Sequence, residues 1–188
     1  MINAPIDPMR YHYILAQIAA PTLMRVKPAS LICLPKGLNV ANIRPKEKGL
    51  EMMLMYRGKK SQAVLIFNRN MLQEVLADQK VKDFLATYSY PVHTDIDFHL
   101  EHLKKRLQGF FEGENEFAHE IGLFLGYPFD DVLDFIKKDK ACYFCGYWKV
   151  FNNPQKALKI MDMYDLAKTQ VINEYLQGKE YFEITYNY

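Results

Sequence analysis

Disulfide density, long apolar runs and glycine-rich loops are all missing from this chain. Its 188 residues include three cysteines (Cys33, Cys142 and Cys145), one tryptophan, nine glycines and nine prolines. An odd, sparse cysteine set excludes the small secreted domain stapled by disulfides. No stretch approaches the roughly 20 apolar residues of a spanning helix. Ala16, Ala19 and Ala20 imitate the end of a signal peptide, but Asp7 precedes them and His12, Tyr13 and Gln17 interrupt the apolar run. The expectation is a cytoplasmic protein with no membrane span. No Gly-rich phosphate loop occurs, so the sequence carries no nucleotide signature. Repeats and Gly/Ser/Pro linkers are absent too, which predicts one domain over residues 1–188, with 179–188 as a flexible or edge-strand tail.

What is present makes a core. Hydrophobic residues are 49% and charged residues 24% of the chain, which excludes a disordered protein. The formal net charge of +2 conceals a pattern. Residues 1–60 hold ten Lys/Arg against three Asp/Glu, residues 61–135 six against thirteen, and the remainder eight against six. Mutual neutralisation of the first two parts is expected, leaving Lys27 and Arg25 for function.

Periodicity and breakers give the elements. A first helix is expected over 8–20, ending before Pro21 because the residue before proline avoids the helical region. Strands are expected near 30–34 and 142–151, and a hairpin near 50–67 whose turn holds Gly58 at positive φ. Short helices follow over 69–77 and 78–88. A longer one over 94–111 is capped by Thr94, with the stripe Ile96, Leu100, Leu103, Leu107 and Phe110. Helices over 117–125 and 128–138 join at Gly126, and Asn153-Pro154 opens a last helix along Ile160, Tyr164, Ala167, Val171 and Tyr175. Six to seven helices beside a small, mainly antiparallel sheet make an α+β fold.

Several constellations invite chemistry. Cys142-Tyr143-Phe144-Cys145-Gly146 has the spacing of a metal knuckle or redox pair, to which Cys33 is the one further thiol. In a regular strand, residues three apart point to opposite faces, so the alternative is two small buried apolar side chains. His119-Glu120 opens a predicted helix, where the macrodipole disfavours a protonated imidazole. Residue 123 is leucine, so this is no zincin motif. The segment 117–138 imitates a helix-turn-helix, but its second helix begins with Asp130, Asp131 and Asp134, which would repel phosphates. Those acids read instead as macrodipole partners, and His99 and His102 as members of a solvated face. Trp148 reads as a core anchor.

Three segments also resemble a bacterial family known only as a domain of unknown function. They are Ala20-Pro21-Thr22-Leu23 with Lys27-Pro28-Ala29-Ser30-Leu31, then the run from His119 to Pro128, then Cys142 with Gly146-Tyr147-Trp148-Lys149-Val150-Phe151. The resemblance implies a cytosolic bacterial α+β protein with no assigned activity. Thr22, Lys27, Ser30, His119, Glu120, Tyr147 and Lys149 fall in or beside these segments. They are expected to gather in a polar pocket for a small anionic ligand or metabolite. The alternatives are a metal or thiol-redox protein using Cys142 with Cys145 and Cys33, and a protein-interaction module using the acidic helices. No nucleophile–base or carboxylate pair is placed together by the sequence, so a binding or accessory role is preferred to an enzyme.

Overall fold

The structure is a computed structural model and describes residues 17–36, 49–91 and 95–179. The sheet grows from the predicted hairpin. β2 (Leu50–Arg57) and β3 (Ser61–Asn68) pair antiparallel, and β1 (Ala29–Pro35) pairs antiparallel with the other edge of β3, giving the order β1-β3-β2. Leu31 stands opposite Leu65 in one ladder and Met53 opposite the same residue in the other. β3 is central and buried on both sides, so alternate side chains serve two cores. Ala63, Leu65 and Phe67 join the larger one, and Val64 and Ile66 the smaller. The register shifts between Leu54 and Tyr56, a bulge on β2.

Gly58 does not take the positive φ expected of it. A Cβ there would lie 2.7 Å from the Tyr56 ring, so the glycine serves close approach rather than the turn.

The smaller core lies under α1, described over residues 17–23, through Ala19 and Leu23 against Ile32, Leu34 and Leu50. The helix passes through Pro21 instead of stopping at residue 20. Proline brings no N–H to the bonding pattern, but its own carbonyl accepts from the Val26 and Lys27 amides, at 2.8 and 3.0 Å. The start expected near residue 8 lies outside the described residues, as do the unassigned segment 37–48, Thr94 and residues 180–188.

The larger core faces the helices. α2 (Arg69–Ala77) starts at Asn68, whose Oδ1 accepts from the Met71 amide at 3.1 Å. α3 (Gln79–Ala86) starts at Asp78, and α4 (Ile96–Glu112) at Asp95. Ile96, Leu100, Leu103 and Leu107 are buried as the stripe predicts, while Phe110 sits at its margin. The expected helix over 117–125 shrinks to α5 (Ile121–Phe124), with residues 119 and 120 in a turn. α6 (Phe129–Lys137) follows. The expected strand over 142–151 is a tight hairpin of β4 (Phe144–Cys145) and β5 (Lys149–Val150), because Gly146, Tyr147 and Trp148 turn the chain between them. α7 (Pro154–Leu176) covers this hairpin through Ala157, Met161 and Tyr164, and reaches α1 through Ala167 and Val171. The fold is therefore α+β. No described helix is long and apolar enough to cross a membrane.

Candidate functional site

Gly126 sets the geometry around the site. Its φ of +75° ends the turn after α5, and a Cβ would lie 2.4 Å from Pro28 Cδ. Pro28 therefore seats directly on the α5–α6 turn, which brings the start of β1 against Tyr127. Tyr127 in turn stacks on Trp148, with centroids 5.4 Å apart at 26°.

Between α5, α6 and the hairpin lies a cleft of about 250 Å³. Phe117, Ile121, Leu125, Val132, Phe135 and Trp148 make its walls mainly apolar, and His119 and Lys149 supply polar groups. Lys149 Nζ stands 5.5 Å from the centre of the Phe135 ring, and His119 meets the same ring edge-on at 5.1 Å. Burial, with Lys138 second, holds the His119 imidazole below the usual histidine range. A neutral imidazole offers one donor and one acceptor to a guest. The turn before α5, not a helix N-terminus, positions it.

Asp131 anchors the floor, a role that reading the acids of α6 as macrodipole partners does not anticipate. It is 1% exposed and accepts from Trp148 Nε1 at 2.6 Å, Phe151 N at 3.0 Å, and Asn152 N and Nδ2 at 2.7 and 3.1 Å. Asp134 accepts from Asn152 Nδ2 at 2.7 Å and pairs with Lys140 at 2.6 Å. Two of the three acids of α6 thus hold the hairpin. The only available signal was the sole tryptophan, whose indole N–H seeks an acceptor when buried.

The seven expected site residues divide. His119 and Lys149 share the cleft. Thr22 and Ser30 are fully buried and bond each other through their hydroxyls at 2.9 Å, tying α1 to β1. Glu120, also fully buried, points to α4, where it pairs with Arg106 and accepts from Tyr90 Oη at 3.1 Å. The adjacent His119 points elsewhere, as neighbouring residues of a turn do. Burial first, then the Glu120 carboxylate, pushes the Tyr90 phenol well up. Lys27 and Tyr147 both meet Tyr164: Lys27 Nζ is 5.9 Å from that ring, and the Tyr147 ring packs on it at 5.1 Å. Tyr147 Oη donates to Asp165 at 2.5 Å, and Lys168 Nζ sits 4.3 Å from the Tyr147 ring. The single polar pocket expected from these seven does not form.

The histidines of α4 correct a second expectation. His99 is buried and His102 Nε2 lies 3.0 Å from the Tyr88 carbonyl, and both rings pack on Tyr90. His99 faces protein, and His102 is half-buried. The cysteines correct a third, because Cys33 and Cys145 are exposed and Cys142 half-buried, all with free thiols. Cys145 is therefore not the buried apolar side chain of the alternative reading, and Cys142 fits it only in part. Among the described residues no group of three or more His, Cys, Asp or Glu stands close enough to hold a metal.

The model of the family described as protein of unknown function (DUF3793) matches residues 15–185. The chain belongs to this family. No curated protein and no solved structure matches it. DUF3793 carries no assigned activity, so the chemistry of the cleft is the guide to what this member does.

Proposed function

We propose that this DUF3793 protein is a cytoplasmic bacterial binding or accessory protein whose cleft takes a small molecule with an apolar body and one anionic group. The observation that carries the reading is the pairing of apolar walls with His119 and Lys149 in a space of about 250 Å³. Such walls reward burial at roughly 25 cal/mol per Å² of apolar surface. An ammonium and a neutral imidazole then orient the charged end by charge-assisted hydrogen bonds. The polar pocket expected from the sequence thereby becomes an apolar cleft with two polar groups, and its guest a more lipophilic anion.

Trp148 lines the cleft and is the only tryptophan, so its emission reports occupancy without a label. Titration with decanoate is expected to change that emission saturably. Lys149→Gln weakens decanoate by about fivefold while leaving the neutral control 1-decanol unchanged, the size expected of one exposed charge contact. Equal loss of both probes, or no response to either, would overturn the reading.

A further inference from the structure

Two walls of the ligand cleft continue beyond it. One is Phe117, whose ring meets that of Phe110, on α4, edge-on at 5.0 Å. Phe110 meets Phe111 at 5.4 Å, and Phe111 stacks on Tyr56 of β2 at 4.2 Å and 21°. The other wall is Leu31 of β1. Alternation puts Cys33 on the same face of the sheet as Leu31, because Ile32 and Leu34 belong to the smaller core. Cys33 stands opposite Ala63, and Ala63 opposite Tyr56. The file of rings and the row across the sheet therefore meet at Tyr56. Gly58 lets that ring lie where it does, since a Cβ there would come within 2.7 Å of it.

This strip is incompletely covered. Phe110 is 36% and Phe111 39% exposed, Tyr56 and Phe117 are half-buried, and Cys33 is exposed. Scattered apolar side chains at a surface need no explanation, but a contiguous patch marks a binding surface. The cleft itself, at about 250 Å³, is smaller than the roughly 300–1,000 Å³ of sites that enclose a drug-sized molecule. A longer guest must therefore leave it, and past Phe117 and Leu31 it meets apolar surface again. The cation of the cleft lies further back, Lys149 being linked to Phe117 through the rings of Phe135 and His119.

We propose that the strip is the tail subsite for a long-chain fatty acid, an unbranched carboxylate whose head Lys149 and His119 hold in the cleft. This rests on the function proposed above and adds chain length as what the site selects. Phe110, Phe111 and Tyr56 are the residues that read it. A single file of rings suits an unbranched chain, and the fixed head at Lys149 sets the direction in which the tail runs. Each methylene wholly buried tightens binding about fourfold. The strip covers a chain on one side only, so four further methylenes are worth about tenfold together rather than a hundredfold or more.

The test titrates the full chain with decanoate and with tetradecanoate, each below its aggregation concentration, and reads Trp148 emission. Tetradecanoate is expected to bind about tenfold more tightly, and Phe111→Gln to reduce that ratio to about threefold or less. Alkylation of the native chain by iodoacetamide, followed by peptide mass spectrometry, gives a second readout. Saturating tetradecanoate should slow the labelling of Cys33 severalfold, whereas decanoate should not. Cys145, exposed and outside the cleft lining, should be labelled at one rate throughout. Equal affinity for the two chains overturns the inference, as does a full ratio in Phe111→Gln or a Cys33 rate that tetradecanoate leaves untouched. If decanoate still moves the Trp148 emission, those results sink the tail subsite alone. Silence with both chains sinks the cleft reading, and the subsite with it. The Cys33 rates need no variant, so they decide even if Phe111→Gln fails to fold.

Discussion

Asp131 lies 1% exposed among four hydrogen bonds, whereas Lys27 lies 7% exposed between two tyrosine rings, with no carboxylate paired to it among the described residues. Both are ionisable groups in the same part of the fold, linked through the stacked pair Trp148 and Tyr127. The difference lies in what surrounds each. The hairpin around β5 presents backbone and indole N–H groups that have nowhere else to bond, and one carboxylate collects them. The rings around Lys27 offer only their faces, which attract a cation weakly. A saturated buried charge holds structure, while an unsaturated one leaves free energy that a partner or a reaction can release.

The sharpest way to break this contrast is to remove the acid. Asp131→Ala leaves the Trp148 indole, the Phe151 amide and the Asn152 amide without their acceptor. Each buried, unpaired donor costs about 1–3 kcal/mol, so a loss of roughly 3 kcal/mol or more is expected in urea unfolding. The Trp148 emission should shift toward that of exposed indole as the hairpin loosens from α6. A loss below about 1 kcal/mol would mean that water replaces the carboxylate, and that Asp131 is no more structural than a surface acid.

Lys27→Met should act in the opposite direction. Methionine keeps most of the length and loses the charge, so at pH 7 the variant is expected to be more stable by about 1–3 kcal/mol. The folded amine has a pKa of about 8 and the unfolded one 10.5. Between these values the unfolded chain holds the extra proton, so the wild-type chain gains stability as pH rises through that window. The advantage of Lys27→Met is therefore full below pH 8 and gone above about 10.5. Parallel unfolding curves across this range check it, and a constant difference between the two chains would show that Lys27 titrates like an exposed lysine.

How much of this was legible in the sequence follows from the range over which each feature is decided. The β2–β3 pairing, the α4 stripe from Ile96 to Leu107 and the Gly126 turn are local, set by alternation, helical spacing and one positive φ, and the sequence shows them, although not the conformation of Gly58 or the exposure of Phe110. It does not show the break in the 142–151 strand, because aromatic and β-branched composition carries no sign that Gly146, Tyr147 and Trp148 reverse the chain. Side-chain direction was the larger gap. His119 and Glu120 are adjacent in sequence, yet one lines the cleft and the other pairs with Arg106 of α4. His99 and His102 looked solvated because they lie off the apolar stripe, while Tyr90, which covers them, comes from the segment before α4. Charge pairing across elements has no period, so beyond the lone indole of Trp148 nothing in the chain points to the Asp131 donors.

The exposed network at Arg69 calibrates the buried pair. Arg69 donates to Glu51 of β2 at 2.5 and 2.9 Å and to Asp97 of α4 at 2.7 Å, joining strand to helix at the surface. Hydrogen bonding to Glu51, then to Asp97, holds its guanidinium above the usual arginine range. With about a third of each side chain or more in water, the contacts are screened and the desolvation at stake is small. Arg69→Ala is expected to cost about 1 kcal/mol or less, and added salt should shrink that difference, whereas the cost of Asp131→Ala should hardly respond to salt. If Arg69→Ala proved as costly as Asp131→Ala, and equally indifferent to salt, burial would not be what distinguishes the charges of this protein. The contrast between Asp131 and Lys27 would then rest on partner number alone.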